Sequence, residues 1–245
     1  MKITLLGSGS KGNSTLIETT NLNILIDAGL SYLNVRKRLK KELPNIDMIL
    51  ITHIHDDHIK GLSSFIKKYN PVIYTKSHEI TEKTLYDNIY IDSFYQKEEV
   101  SIEFFPLSHD VTCHGVLIKE NDKELVYITD TGFIHEKVLK KIKNKHIYIL
   151  ESNHDEEMLR HSKYPFYLQQ RIRGDKGHLS NNMAASYMKK MIGDNTTHIV
   201  LAHLSQENNT KILADSVMNE TLKEITTPLE ILISSQEEAM NPIEV

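Results

Sequence analysis

The stretch "ITHIHDDHIKG", residues 51–61, decides the fold. It follows the apolar run "MIL" and precedes "LSSFIKKY", so a strand leads into it and a helix leads out. A strand period of two places His53 and His55 on one side, and Asp57 with His58 then falls at the mouth of a helix beginning near Ile59. Three imidazoles and a carboxylate gathered in the six positions from His53 to His58 have no packing rationale. Neutral imidazole nitrogen and carboxylate oxygen are the ligands of Zn²⁺ and related divalent ions. By contrast His78, His114, His135, His146, His161 and His198 stand singly and read as surface or hydrogen-bonded packing residues.

Outward from this stretch, short apolar runs each stop at a polar residue. "NILID" ends at Asp27, "MILITH" at His53, "IEFFPLSH" at His109, "LVYITD" at Asp130, "IYILE" at Glu151 and "HIVLAH" at His203. These strands alternate with helical patterns at "YLNVRKRLKKEL", "IKGLSSFIKKY", "HEKVLKKIK", "NMAASYMKKMI" and "TKILADSVMNETLKEI". The alternation predicts an α/β layer protein whose polar strand ends converge on one crevice.

The bulk properties agree. A chain of 245 residues, 40% hydrophobic and 25% charged, buries a substantial core and is read as one domain over 1–245. A net charge of −4 gives no global basic field, so any nucleic-acid contact must be local. The single cysteine, Cys113, excludes an internal disulfide framework and suits a reducing compartment. No apolar run approaches the ~20 residues of a membrane span, and the apolar part of "MKITLLGSGS" is too short for a signal peptide. The expectation is a soluble, cytoplasmic protein without a membrane partner; the sequence sets no oligomeric state.

One competing motif needs an answer. Gly7, Gly9 and Gly12 have the G-x-G-x-x-G spacing of a dinucleotide-binding turn, with Asp27 twenty residues beyond Gly7. That fingerprint requires a helix directly after the glycines, whereas "STLIETTNLNILIDAG" reads as strand, turn and strand. The NAD reading therefore fails.

"THIHDDH", followed by His109, Asp130 and His203 at the ends of apolar runs, resembles the H-x-H-x-D-H signature and remaining ligands of the metallo-β-lactamase fold superfamily. The likeness spans residues 3 to about 235 in the family's order. It implies a four-layer αββα sandwich with a dinuclear site: His53, His55 and His109 on one metal, Asp57, His58 and His203 on the other, and Asp130 bridging. Asp27 becomes a carboxylate that orients the histidine ligands. "GSGSKGNS" becomes a strand-connecting loop at the site, with Asn13 and Ser14 as its candidate supports. "GSGSKGNS", "LIDAGLS", "ITHIHDDHIKG", "ITDTG", "ESNHDEEML", "YPFYLQQRIRGDKGHLSN" and "LAHLSQENN" together are most similar to the YycJ/WalJ (VicX) group, which implies exonuclease action on DNA.

Such a site supports hydrolysis, because two close cations lower the pKa of a bridging water until hydroxide is available near neutral pH. Five histidines and two carboxylates suit two Zn²⁺, with Mn²⁺ as the alternative. Arg171, Arg173 and Lys176 in "LQQRIRGDKGHLS" read as a phosphate-facing loop or as a solvated basic turn. His178 is placed like the histidine that contacts the scissile phosphate in tRNA 3′-processing nucleases of this superfamily, and Ser180 or Asn181 would cap the next helix. The expected catalytic residues are Asp57, Asp130 and His178, with His154 in reserve as general acid. A nuclease acting on DNA is the leading expectation. A small-molecule hydrolase for a cyclic nucleotide, thioester or lactone and an iron-containing redox module remain alternatives.

Overall fold

A computed structural model describes all 245 residues. The chain divides into two compact units, one comprising Met1–Phe104, Lys119–Asp122 and Ser234–Val245, the other Phe105–Ile118 and Lys123–Ile233.

In the first unit the order is β1 (Lys2–Gly7), β2 (Ser14–Glu18), β3 (Asn23–Ile26), α1 (Tyr32–Leu39), β4 (Met48–Ile51), α2 (Asp56–Ile59), α3 (Leu62–Tyr69), β5 (Val72–Thr75), α4 (Ile80–Lys83), β6 (Ile89–Ile91) and β7 (Phe94–Lys97). The strand β8 (Val100–Leu107) then leads into the second unit, which holds β9 (Cys113–Glu120), β10 (Lys123–Ile128), α5 (Glu136–Lys141), β11 (Ile147–Glu151), α6 (Glu156–Arg160), α7 (Phe166–Arg173), α8 (Asn181–Met191), β12 (His198–Ala202), α9 (Lys211–Leu222) and β13 (Glu230–Ile233). A last short strand, β14 (Ile243–Glu244), returns to β1.

The two seven-stranded sheets run β14-β1-β2-β3-β4-β5-β6 and β13-β12-β11-β10-β9-β8-β7. The hairpins β1-β2-β3 are antiparallel, and β3 to β6 are parallel with helical crossovers between them. The second sheet repeats the parallel part over β10, β11, β12 and β13. Strands covered on both faces read as continuous apolar runs, which is why "MILI" and "IYIL" show no alternation. In the first unit Leu25, Ile49 and Ile73 of the sheet pack with Val35, Leu62 and Phe65 from the helices. In the second, Val126, Ile128, Leu150 and Leu201 pack with Leu139, Ala185, Met188 and Met218.

Ligands of parallel sheets gather beyond the strands' C-terminal ends. Asp27 and His53 lie there in the first unit, just past β3 and β4. Asp130, Glu151 and His203 occupy the same edge of the second sheet, at β10, β11 and β12. No helix is long and apolar enough to cross a membrane.

Several helix expectations need correction. The pattern read through residues 59–69 is two helices, α2 and α3, divided at Gly61; α2 starts at Asp56, so Asp57 and His58 lie inside a helix and not at its mouth. The first long helix stops at Leu39 because Lys40 turns left-handed, φ 55°. Part of the basic loop is also helical. Arg171 and Arg173 ride on α7, and only Gly174 to Gly177 form the turn. Pro165 before α7 and Gly174 after it delimit a helix that Leu168 and Ile172 alone hardly announce.

Candidate metal centre

In the first unit the extended segment after β4 brings His53 Nε2 to 3.1 Å from His55 Nδ1, the rings nearly perpendicular at 81°. His58 packs against His53, ring centroids 3.9 Å apart. Both His53 and His58 are buried completely. Asp27 explains their orientation. Its Oδ2 accepts from His58 Nδ1 at 2.7 Å, and its Oδ1 accepts from the Thr52 backbone N–H at 2.9 Å. Burial pushes the Asp27 carboxyl up, although His58 pulls against that. With the proton placed on His58 Nδ1 by this bond, Nε2 carries the lone pair. Asn13 Nδ2 lies 2.9 Å from that Nε2 and 3.2 Å from Asp57 Oδ2.

The glycine-rich loop thus reaches the cluster through Asn13, and its glycines have a reason. Gly12 adopts φ 140°, open to glycine alone, and a Cβ on Gly29 would sit 1.7 Å from the Asp57 carbonyl oxygen. Asn13 is the working side chain of the loop. Ser14 instead donates to the Asn13 carbonyl and accepts from Leu30 N–H, so it supports backbone.

In the second unit the cluster is built around Glu151. That carboxylate is wholly buried; Oε1 accepts from His178 Nδ1 at 2.7 Å and from His203 Nδ1 at 2.9 Å, and Oε2 from the Thr131 backbone N–H at 3.0 Å. Burial alone would raise its pKa, but His178 and then His203 overcome it and hold the carboxyl well below the usual range. The reciprocal effect acts on His178: burial disfavours its charged form, and Glu151 outweighs that and raises its pKa. His203 turns Nε2 toward Asp130 Oδ1, 3.5 Å away. His109 stands with its ring centroid 5.5 Å from that of His178, and burial pushes its pKa down, keeping the imidazole neutral.

Donor chemistry in both units fits divalent cations. In the first, the His53 and His55 nitrogens converge to 3.1 Å, where two N–H groups could not face each other. In the second, one donor atom from each of Asp130, Glu151, His178 and His203 lies within 4.8 Å of the others. Glu151 is engaged by imidazole and backbone N–H groups, and it orients the two imidazoles it holds.

Sequence reasoning saw Glu151 only as a strand stop. Its partners lie 27 and 52 positions away, a separation no local pattern encodes. His154 is 2% exposed, and burial pushes its pKa down to about 4, so at neutral pH its imidazole is uncharged. Arg171, Arg173 and Lys176 are all exposed, Arg171 ion-paired with Asp110. Ser180 does cap α8, accepting from Met183 N–H at 3.2 Å, while Asn181 is buried and accepts from Ser152 Oγ at 2.7 Å.

Comparison with known proteins agrees with this chemistry. Residues 22–204 match the model of the beta-lactamase superfamily domain. The exodeoxyribonuclease WalJ of Streptococcus pneumoniae serotype 2 is 36% identical over 234 residues, 89% of this chain and 86% of that protein. The exodeoxyribonuclease YycJ of Bacillus anthracis is 36% identical over 242 residues, covering 91% and 90%. Among solved structures, the metallo-beta-lactamase fold protein YhfI from Bacillus subtilis superposes with a TM-score of 0.71 at 19% identity, over 98% of this chain and 99% of that one. That likeness shows the α/β sandwich fold expected from the sequence.

Proposed function

The chain belongs to the β-lactamase superfamily, and on that premise we propose that it is a metal-dependent phosphodiesterase that shortens DNA from an end, with residues 1–245 acting as one hydrolase domain. The observation that carries the reading is the His178–Glu151 pair. His178 has no place in the seven-residue ligand signature, yet a buried carboxylate holds its Nδ1 at 2.7 Å and favours its protonated form. A charged imidazole so placed suits an anionic substrate and a poor leaving group, as in a phosphodiester of nucleotides.

His53, His55 and His109 would hold one ion, Asp57, His58 and His203 a second, and Asp130 both; the nitrogen-rich set favours Zn²⁺, with Mn²⁺ as the alternative. Two such ions would supply Lewis acidity and positive charge for hydrolysis of a phosphodiester. The remaining work falls to the chain. Asp27 and Glu151 fix the protons of His58 and His203 on Nδ1, so that each offers Nε2. His178 keeps a proton at Nε2 for the departing 3′ or 5′ oxygen. Arg171, Arg173 and Lys176 present exposed cations to the backbone beyond the cleaved bond. The named activity of the two bacterial relatives supports DNA as the polymer.

The test is incubation of the metal-loaded protein with end-labelled single- and double-stranded DNA and RNA beside a lactone and a thioester. Stepwise shortening of DNA is expected. Turnover of the lactone or thioester with every polynucleotide left intact would replace this reading with that of a small-molecule hydrolase.

A further inference from the structure

Helix α7 turns large aromatic side chains outward. None of its residues is buried, and its outward face carries Phe166 and Tyr167, 74% and 75% exposed. Leu168 and Ile172 share the opposite, half-buried side. At a spacing of four, Tyr167 lies over Arg171 on the outward face, which therefore alternates aromatic rings and guanidinium groups. Large exposed aromatics cost solvation without return unless something covers them.

Three observations say what does. Residues 160–178 hold five cationic side chains against one acidic, Asp175, in a chain whose net charge is −4. The helix is also coupled to the site. The His178 backbone N–H bonds to Ile172 O at 2.9 Å, Gly177 N–H to Gly174 O at 2.7 Å, and Arg171 pairs with Asp110, the neighbour of His109. A further aromatic, Phe133, 37% exposed, follows Gly132, whose backbone passes so close to Gly174 that a Cβ there would stand 2.2 Å from the Gly174 oxygen. Aromatic rings interleaved with guanidinium groups, leading to a phosphodiesterase site, are the chemistry of a surface for unpaired nucleotides.

We propose that the outward face of α7 is a stacking platform for the strand being cut: Phe166 and Tyr167 receive bases and Arg171 and Arg173 their phosphates. The assignment rests on the nuclease reading above and adds to it a demand for unpaired bases near the cleaved bond. From Phe166 to Arg173 the helix rises about 10 Å, which at ~3.4 Å per stacked nucleotide spans about three nucleotides.

The experiment measures Kd by fluorescence anisotropy for labelled single strands, each intact or carrying one abasic residue at a scanned position, with the full-length metal-loaded protein and its Phe166→Ala/Tyr167→Ala double variant. Thermal unfolding checks that the variant folds, which the exposure of both rings predicts. One stacked base is worth about 5- to 150-fold in affinity. Wild type should lose that factor when the abasic residue falls a few nucleotides from the cleaved phosphate. The double variant should lose it on the intact strand and nothing further on the abasic one. A Phe166→Leu/Tyr167→Leu variant, apolar but without ring faces, should resemble the alanine variant.

Wild-type affinity in the double variant, or losses that multiply across protein and strand, would overturn the platform while leaving the nuclease intact. A wild-type protein that neither binds nor shortens any strand would overturn the nuclease reading and the platform with it. Loss of binding to phosphatidylserine vesicles, or of self-association, at unchanged strand affinity would hand this face to a membrane or to a second copy and likewise refute it.

Discussion

Replacing Glu151 by glutamine changes one charge and almost no volume, and the structure fixes what must follow. The carboxylate accepts from His178 Nδ1 and His203 Nδ1 on one oxygen, at 2.7 and 2.9 Å, and from Thr131 N–H and Leu179 N–H on the other, at 3.0 and 3.3 Å. Glutamine keeps only one oxygen. Left on the two backbone donors, it turns its amide N–H groups toward two imidazoles that are themselves donors at Nδ1. His203 must then carry its proton on Nε2, and His178 must give up its Nδ1 proton. His203 thereby loses the lone pair it offers to a cation, and His178 loses the negative charge that keeps it protonated.

The two consequences have separate magnitudes. A lost orienting partner weakens metal binding by ~10–100-fold. A misplaced proton in a buried carboxylate–histidine pair lowers turnover by on the order of 10⁴-fold where it has been isolated, in the serine-protease triad. Competition of Glu151→Gln with a chromophoric chelator should reveal one weakened metal and one of wild-type affinity, and turnover at saturating metal should fall by about 10²–10⁴-fold. Glu151→Asp, which retains the charge, should recover part of the metal affinity. Wild-type affinity for both metals together with turnover within a few-fold of wild type would refute the orienting role of Glu151.

His178→Ala should lose about 10²–10⁴-fold on a natural phosphodiester and retain most activity on bis-p-nitrophenyl phosphate, whose leaving group needs no proton; equal losses on both would make His178 a phosphate contact instead of an acid. The slope of log affinity against log salt should flatten by about 1.4 to 1.8 in Arg171→Ala/Arg173→Ala if each arginine neutralises one phosphate, and an unchanged slope would return both to the solvated surface. Glu120 binds the Met1 ammonium at 3.0 Å and Thr20 N–H at 2.6 Å; burial pushes its pKa up, but Thr20 and the ammonium overcome that and lower it. Its stabilisation is present above the unfolded carboxyl pKa of ~4.3 and lost as pH falls through the depressed folded value. Glu120→Gln should therefore cost about 1–3 kcal/mol near neutrality in denaturant unfolding, with the difference closing in acid.

What the sequence disclosed follows a physical boundary. The clustered histidines were legible as candidates because several sit within a few positions of each other and the rest end apolar runs, and both features are local. The loop "GSGSKGNS" could be cleared of NAD binding because no helix follows it, again a local test. Glu151 was not legible as a site residue: at the end of "IYILE" it looks like any polar stop, and its meaning lies in imidazoles from two later segments. Helix α7 was missed for the opposite reason. Periodicity detects helices that bury a stripe, and α7 buries no residue, spending its aromatic positions on the outside.

The backbone carries one more signal that no residue pattern announces. Asp27, Asp130 and His203 all have positive φ, 57°, 60° and 56°, and each lies within two residues of the end of a parallel strand. A non-glycine residue there costs roughly 1–2 kcal/mol against the right-handed region. Glycine would remove the strain and the carboxylate or imidazole with it. The chain keeps the side chain and ties the turn down instead. Asp27 is fixed by its N–H to Leu50 O at 2.8 Å and by the Thr52 N–H on its carboxylate; His203 by Asn153 Nδ2 on its carbonyl at 2.9 Å. Strain of this kind persists only where the surroundings over-determine it.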